Sequence, residues 1–327
     1  MIEKFNPLLE ELNKNIDELS LPHHPVELYD PIKYIMNIGG KRMRPLLTLL
    51  GYKLFADDYQ KAMPAAMAVE LFHNFTLVHD DIMDEAPLRR GKPTVHNKWN
   101  QNIGILSGDV MLVKVYDYFL DLDIEPSKLK SILGKFNVCA AEVCEGQQED
   151  MNFETSDNVS ESEYLEMIRK KTSVLLGFAL EAGAEIAGAT EVVCRQIRDF
   201  GVNLGIGFQL QDDLMDVYAD QAKFGKQVGG DIIANKKTML LIEALKKAQG
   251  EDEKELNGWL KASDFNNEEK VKAVTAIYDR LDIRNTIEER MNDYFSKAFN
   301  TLDHFPVPEN KKDKIRLLAE ALINRES

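Results

Sequence analysis

The chain has 327 residues and a net charge of −15, with 40 basic against 55 acidic side chains. That balance argues against nucleic acid as a partner, because binding a phosphate backbone needs a basic surface. Hydrophobic residues make up 44% of the sequence, enough for a sizeable core, yet no apolar run reaches the ~18 residues of a membrane span. No linker-like stretch divides the chain, so one large domain over 1–327 is expected. The opening "MIEKFNPLLEELNKNIDELS" is charged and amphipathic, without a basic stretch leading into an apolar signal core, and this predicts a cytoplasmic protein. Cys139, Cys144 and Cys194 are scattered through apolar helical surroundings, which predicts reduced, buried thiols and no disulfide framework.

Helical periodicity recurs throughout and alternation of period two is almost absent, so the fold class is all-α. Helices are expected at 3–19, 27–38 and 42–55. Gly39-Gly40 ends the second, and Pro45 suits the first turn of the third. In "IGGKRMRP", Lys41 and Arg44 at i,i+3 share one face at a helix start, where free N–H groups also favour anions. Arg42 lies off that face, and a capping loop with exposed bases is the plainer explanation of the cluster.

The next helix, at 60–84, runs into "LVHDDIMDE", which holds Asp80, Asp81 and Asp84. His73 lies two turns before Asp80 on the same face and could donate to a phosphate, whereas His79 reads as structural. Pro87, Gly91 and Pro93 then bound the loop "EAPLRRGKPTVH". Arginine forks suit phosphate, and the successive Arg89 and Arg90 point to different sides, so they could serve two phosphate groups.

Helices follow at 99–120, 127–152 and 160–188. Gln147 and Asp150 form an i,i+3 polar pair in the second of these. Lys171 and Thr172 head the almost uncharged stretch of the third, where a buried lysine needs an anion. The helix at 190–219 carries "FQLQDDLMDVY", with Gln209 three residues before a second acidic cluster of Asp212, Asp213 and Asp216. Lys226, Lys236 and Lys237 lie in the glycine-rich loop behind it. Helices at 237–248, 252–262, 267–281, 283–301 and 308–324 complete the chain.

Each acidic motif is Asp-Asp-x-x-Asp, so its first and last members share a helix face and the middle one lies about 100° round it. If two such clusters face each other in a cleft, a pair of charges ~6 Å apart repels by about 3 kcal/mol at an effective dielectric near 20, and cations are required. Hard Mg2+ takes carboxylate oxygens and completes its shell with water and phosphate, which makes a diphosphate the natural third party. No Ser-His-Asp or Cys-His arrangement is visible, and no glycine-rich loop follows a strand. Metal-assisted departure of diphosphate is the chemistry these residues offer.

From "GGKRMRP" to "NKKT" the chain resembles the trans-type polyprenyl diphosphate synthases, short-chain members such as geranylgeranyl and farnesyl diphosphate synthases included. The resemblance implies a single helical bundle around a deep central cavity, the isoprenoid synthase fold, in a homodimer. It implies head-to-tail condensation of isopentenyl diphosphate with an allylic diphosphate (dimethylallyl, geranyl or farnesyl), with three Mg2+ ions when substrate is bound. Asp80, Asp81, Asp84 and Asp212 match metal ligands, while Asp213 and Asp216 match the second motif and act directly or through water. Arg89, Lys171, Lys226 and Lys236 match positions around the allylic diphosphate. Gln147, Thr172 and Gln209 match polar positions near the reacting carbons. Lys41, Arg44, His73 and Arg90, with Arg325 near the end of the chain, match the isopentenyl diphosphate site.

Product length is addressed by Phe75 and Thr76, five and four residues before Asp80, and five residues span about 7.5 Å of helix axis. Phe75 can floor the cavity in which the product tail grows. One aromatic beside a small Thr predicts twenty carbons, with fifteen as the other outcome. Ordinary core packing of Phe75 is the plain alternative. A terpene cyclase of the same fold would replace the second Asp motif and would not need Lys41, Arg44 and Arg90, while a catalytically silent partner subunit would tolerate loss of acidic or arginine residues.

Overall fold

The computed structural model describes residues 5–156, 158–219 and 229–323. Lys226 and Arg325 lie outside these. The described chain is helical apart from one small hairpin and its connections. It divides into two compact units, each assembled from separated segments: 1–138, 175–198 and 305–317 in the first, and 139–174, 199–304 and 318–327 in the second. Four of these boundaries fall inside continuous helices, so composition gives no linker signal there.

In the first unit, α1 (Asn6–Asp17) buries Leu8, Leu12 and Ile16, a stripe at i,i+4 spacing. It is followed by α2 (Val26–Asn37) and α3 (Met43–Lys53). The 21-residue α4 (Met63–Met83) is apolar round most of its circumference as far as Val78 and ends in the first acidic motif. It packs on α3 and on α6 (Gln101–Leu120), whose N-terminus is capped by the Asn100 side chain accepting from the Ile103 amide at 2.9 Å. Between them stand a two-stranded hairpin, β1 (Leu88–Arg89) and β2 (Lys92–Pro93), and the short α5 (Val95–Lys98). An aromatic hub fills this core: Phe136, on the first half of α7 (Pro126–Thr155), lies 5.1–5.7 Å from the rings of Phe72, Phe119, Tyr116 and Phe178. Such pairs add about 0.5–1.5 kcal/mol each beyond their buried area.

In the second unit, α8 (Glu161–Ile168) starts at a capping box between Ser160 and Glu163. Where one helix over 160–188 is expected, a π-helical turn, Arg169–Ser173, intervenes before α9 (Val174–Ile186), which from Leu175 onward belongs to the first unit. The long α10 (Glu191–Tyr218) carries the second acidic motif. Behind it come α11 (Gly230–Ile233), α12 (Met239–Lys247), α13 (Glu251–Lys261), α14 (Asn267–Arg280) and α15 (Ile283–Asp303), and α16 (Glu309–Ile323) closes the chain. Leu210 and Leu214 of α10, Leu240 of α12, Ile277 of α14 and Ile287 of α15 share one core with Tyr164 of α8.

Two sequence expectations are corrected here. Lys41 precedes α3, so it shares no helix face with Arg44: Gly39 (φ 100°), Gly40 (φ 139°) and Arg42 (φ 48°) have positive φ, and regular helix begins only at Met43. Cys144 is exposed on α7, whereas Cys139 and Cys194 are buried, and none of the three forms a disulfide.

Candidate active site

The first acidic motif spans the last turn of α4, and its three carboxylates divide by face. Asp81 is buried at 1% exposure, Asp80 is half-buried and Asp84 is exposed. Arg89 holds Asp81 in a fork: Nε donates to both carboxylate oxygens at 2.8 and 3.0 Å and Nη2 donates to Oδ1 at 2.6 Å. The hairpin explains how Arg89 gets there. Arg90 (φ 52°) and Gly91 (φ 74°) form a two-residue turn with both φ angles positive, the pattern that matches the twist of the flanking strands. Thr94 ties the base of the loop by donating from Oγ1 to the Ala86 carbonyl at 2.8 Å. Arg89 therefore points from β1 back to Asp81, while Arg90 at the tip reaches Gly40, where an added Cβ would stand 2.6–2.8 Å from its guanidinium. The two arginines diverge, as their adjacency predicts.

Arg42 is the buried arginine of the basic cluster. It pairs with Glu70 at 2.5 Å and donates to the Met36 carbonyl at 2.6 Å, and Asn74 donates to the same Glu70 oxygen at 3.1 Å. Beside it, Arg44 Nη1 lies 3.1 Å from His73 Nε2, so two residues expected in one phosphate site do meet. Burial, reinforced by Arg44, Arg90, Arg89 and Arg42, holds the His73 imidazole well below its ordinary pKa. It is neutral at physiological pH, and a neutral imidazole accepts the Arg44 N–H. Lys41 is exposed. His79 donates to the Ile105 carbonyl at 3.1 Å, the structural role expected of it.

Phe75 is buried against the edge of His79, with centroids 4.8 Å apart, and against Phe72 at 5.6 Å. Thr76, half-buried, turns its hydroxyl to the His73 carbonyl at 2.8 Å.

In the second unit the same division by face recurs. Asp213 is buried, and Asp212 and Asp216 are half-buried. Asp213 accepts the Tyr164 hydroxyl on one oxygen and Gln209 Nε2 at 3.1 Å on the other, and Gln209 Oε1 accepts from Thr172 Oγ1 at 3.3 Å. Burial pushes the Asp213 carboxyl up to about 7, against the opposing pull of its two donors. Thr172 and Lys171 both sit in the π-helical turn, a local widening of the helix that recurs at functional sites. The anion that Lys171 requires is Asp150, 2.6 Å away, on the α7 face that also carries the buried Gln147. Asp231 was not singled out by the sequence: its amide donates to Asp216 Oδ2 at 3.0 Å, so the chain after the motif folds back onto it. Lys236 is exposed, with its amide bonded to the Asp231 carbonyl at 2.9 Å.

Residues 25–278 match the family described as polyprenyl synthetase. The chain belongs to that family. It is similar to the geranylgeranyl diphosphate synthase of Methanosarcina mazei, 40% identical over 247 residues that cover 76% of each chain. It is also similar to the geranylfarnesyl diphosphate synthase of Natronomonas pharaonis, 35% identical over 251 residues covering 72% of this chain and 74% of that one. The crystal structure of the Pyrococcus horikoshii geranylgeranyl pyrophosphate synthetase superposes with a TM-score of 0.92 at 32% identity, covering 99% of this chain and 98% of that one. The fold is the all-α isoprenoid synthase fold, and the protein is a trans-type prenyltransferase that condenses isopentenyl and allylic diphosphates head to tail. The cyclase and silent-subunit alternatives are not favoured. Among the described residues no helix is long and apolar enough to cross a membrane.

The family is Mg2+-dependent, and the residues present fit that ion. Each motif offers an outer pair of oxygen ligands at i,i+4, the sparse hard-ligand set that Mg2+ accepts while keeping water and phosphate in its shell. Among the described residues, no three His, Cys, Asp or Glu side chains gather into a complete protein cage.

Proposed function

We propose that the enzyme makes the twenty-carbon geranylgeranyl diphosphate, extending dimethylallyl, geranyl and farnesyl diphosphates in turn with isopentenyl diphosphate. The observation that carries the chain length is Phe75, buried one and a half turns before Asp80 beside the small Thr76. A tail running from the motif toward the start of α4 meets that ring after about 7.5 Å. Replacing Phe75 by Ala should lengthen the product and Thr76→Phe should shorten it, read by sizing the products made from each primer. An unchanged product at normal rate from Phe75→Ala would show that another residue is the floor.

Asp80, Asp84, Asp212 and Asp216 are the carboxylates for three Mg2+ ions, which when bound neutralise charge on the departing diphosphate. Asp81 orients Arg89 toward the allylic diphosphate, and Lys171, Lys226 and Lys236 add positive charge there. The Thr172 and Gln209 dipoles stand where the allylic carbon becomes cationic, with Gln147 nearby. Lys41, Arg44, His73 and Arg90, joined by Arg325, hold isopentenyl diphosphate so that its double bond is aligned before the allylic C–O bond breaks. We take 1–327 as one catalytic domain, since four of the five passages between its compact units run within helices. The setting we propose is reducing and cytoplasmic, and the support is that none of the three cysteines forms a disulfide. The functional form is a homodimer, and the support is the outward row of Ile105, Leu106, Val113 and Leu120 on α6, each at least 40% exposed.

A further inference from the structure

In each acidic motif the middle aspartate is turned inward and its oxygens are occupied. Arg89 does this for Asp81, in a pairing eight residues apart in sequence. For Asp213 the work is done by Tyr164, 49 residues away on α8. Tyr164 is 2% exposed, and its ring packs in the core with Met167, Leu210 and Leu214, while its hydroxyl reaches through that core to Asp213. The bond begins a chain. Asp213 spends one oxygen on Tyr164 and the other on the Gln209 amide N–H, which obliges Gln209 to turn its carbonyl oxygen to Thr172. Both donors are uncharged, so neither bond is an ion pair, and each depends on its donor being aimed at one carboxylate oxygen.

We infer that Tyr164 is a positioning residue for the second acidic motif: by fixing Asp213 it sets the rotation of the α10 turn that presents Asp212 and Asp216 and holds Gln209 toward Thr172. Asp213 is then a strut of the motif and contributes no metal ligand. The inference rests on the reading of Asp212 as a magnesium carboxylate, and the experiment separates the two. Without the hydroxyl, a buried carboxylate oxygen loses its donor and must rotate or draw another group inward, either of which moves the turn.

The measurement is calorimetric binding of inorganic diphosphate to the whole protein across a Mg2+ series, with circular dichroism to check folding. Tyr164→Phe keeps the ring and is expected to weaken Mg2+-dependent diphosphate binding about ten-fold, with metal-free binding of isopentenyl diphosphate unchanged. Asp213→Asn keeps an acceptor for Tyr164, and Gln209 can turn its amide to match, so affinity should stay within about three-fold of wild type. Asp212→Asn should lose far more. Wild-type affinity in Tyr164→Phe, or a loss in Asp213→Asn as large as that in Asp212→Asn, overturns the positioning role. Should Tyr164→Phe fail to fold, the comparison of Asp213→Asn with Asp212→Asn still decides whether Asp213 is strut or ligand. Undiminished affinity in Asp212→Asn would remove the magnesium reading itself.

Discussion

Gly40 shows how one residue without a side chain can decide a binding site. Its φ of 139° disfavours any L side chain, and the Arg90 guanidinium occupies the space a Cβ would need. Gly40→Ala should therefore displace Arg90 rather than unfold the protein. A lost charged hydrogen bond is worth about 1.5–3 kcal/mol, so the KM for isopentenyl diphosphate should rise roughly ten-fold or more, with the allylic KM little changed. Steady-state kinetics with each substrate varied in turn checks this, and an equal rise in both constants would contradict the assignment of Arg90. The adjacent Arg42 follows a different logic. It is buried and paired with Glu70, so its charge is committed to the core and is not offered to substrate.

At the scale of elements, the π-helical turn at Arg169–Ser173 is where two expected site residues depart from regular helix. Two glycines give it room: the Lys171 backbone passes directly over Gly146 of α7, and Ser173 lies over Gly205 of α10, where a Cβ would come within 2.8 Å of the Ser173 Cα. Backbone that close cannot yield as a flexible side chain can. Gly205→Ala should cost about 1–3 kcal/mol of stability by overpacking. It should also lower turnover at least ten-fold, because the displaced turn carries Lys171 and Thr172. Urea unfolding and kcat measured on the same preparation would show both, and normal kcat alongside lowered stability would mean the turn has no part in placing those residues.

For the whole molecule, the exposed apolar row on α6 is the feature that an isolated chain does not explain. Ile105, Val113 and Leu120 recur at intervals of eight and seven residues, hence on one face, with Leu106 beside it. The wild-type protein should sediment at twice the chain mass, and Val113→Asp, which places a charge at the 64% exposed centre of that row, should shift it toward the monomer. A monomeric wild type, or a dimer indifferent to Val113→Asp, would place the second copy elsewhere or nowhere.

The helical architecture and the residue types of the site are legible in the order of amino acids alone. Apolar spacing marks faces directly, and the expected helix at 60–84 corresponds to α4 at Met63–Met83 because its periodicity is local information. The same holds for the divergence of Arg89 and Arg90, which follows from adjacency in a Gly-bounded turn. Which group satisfies which emerges only once the chain is folded. All three aspartates of a motif look alike in sequence, and the inward turn of Asp81 and Asp213 depends on donors supplied by a hairpin and by a tyrosine 49 residues away. Lys171 takes Asp150 as its anion, and Arg42 takes Glu70, for the same reason. A buried polar or charged group must find a partner, but the partner is set by packing between distant segments, and helical periodicity carries no record of that choice.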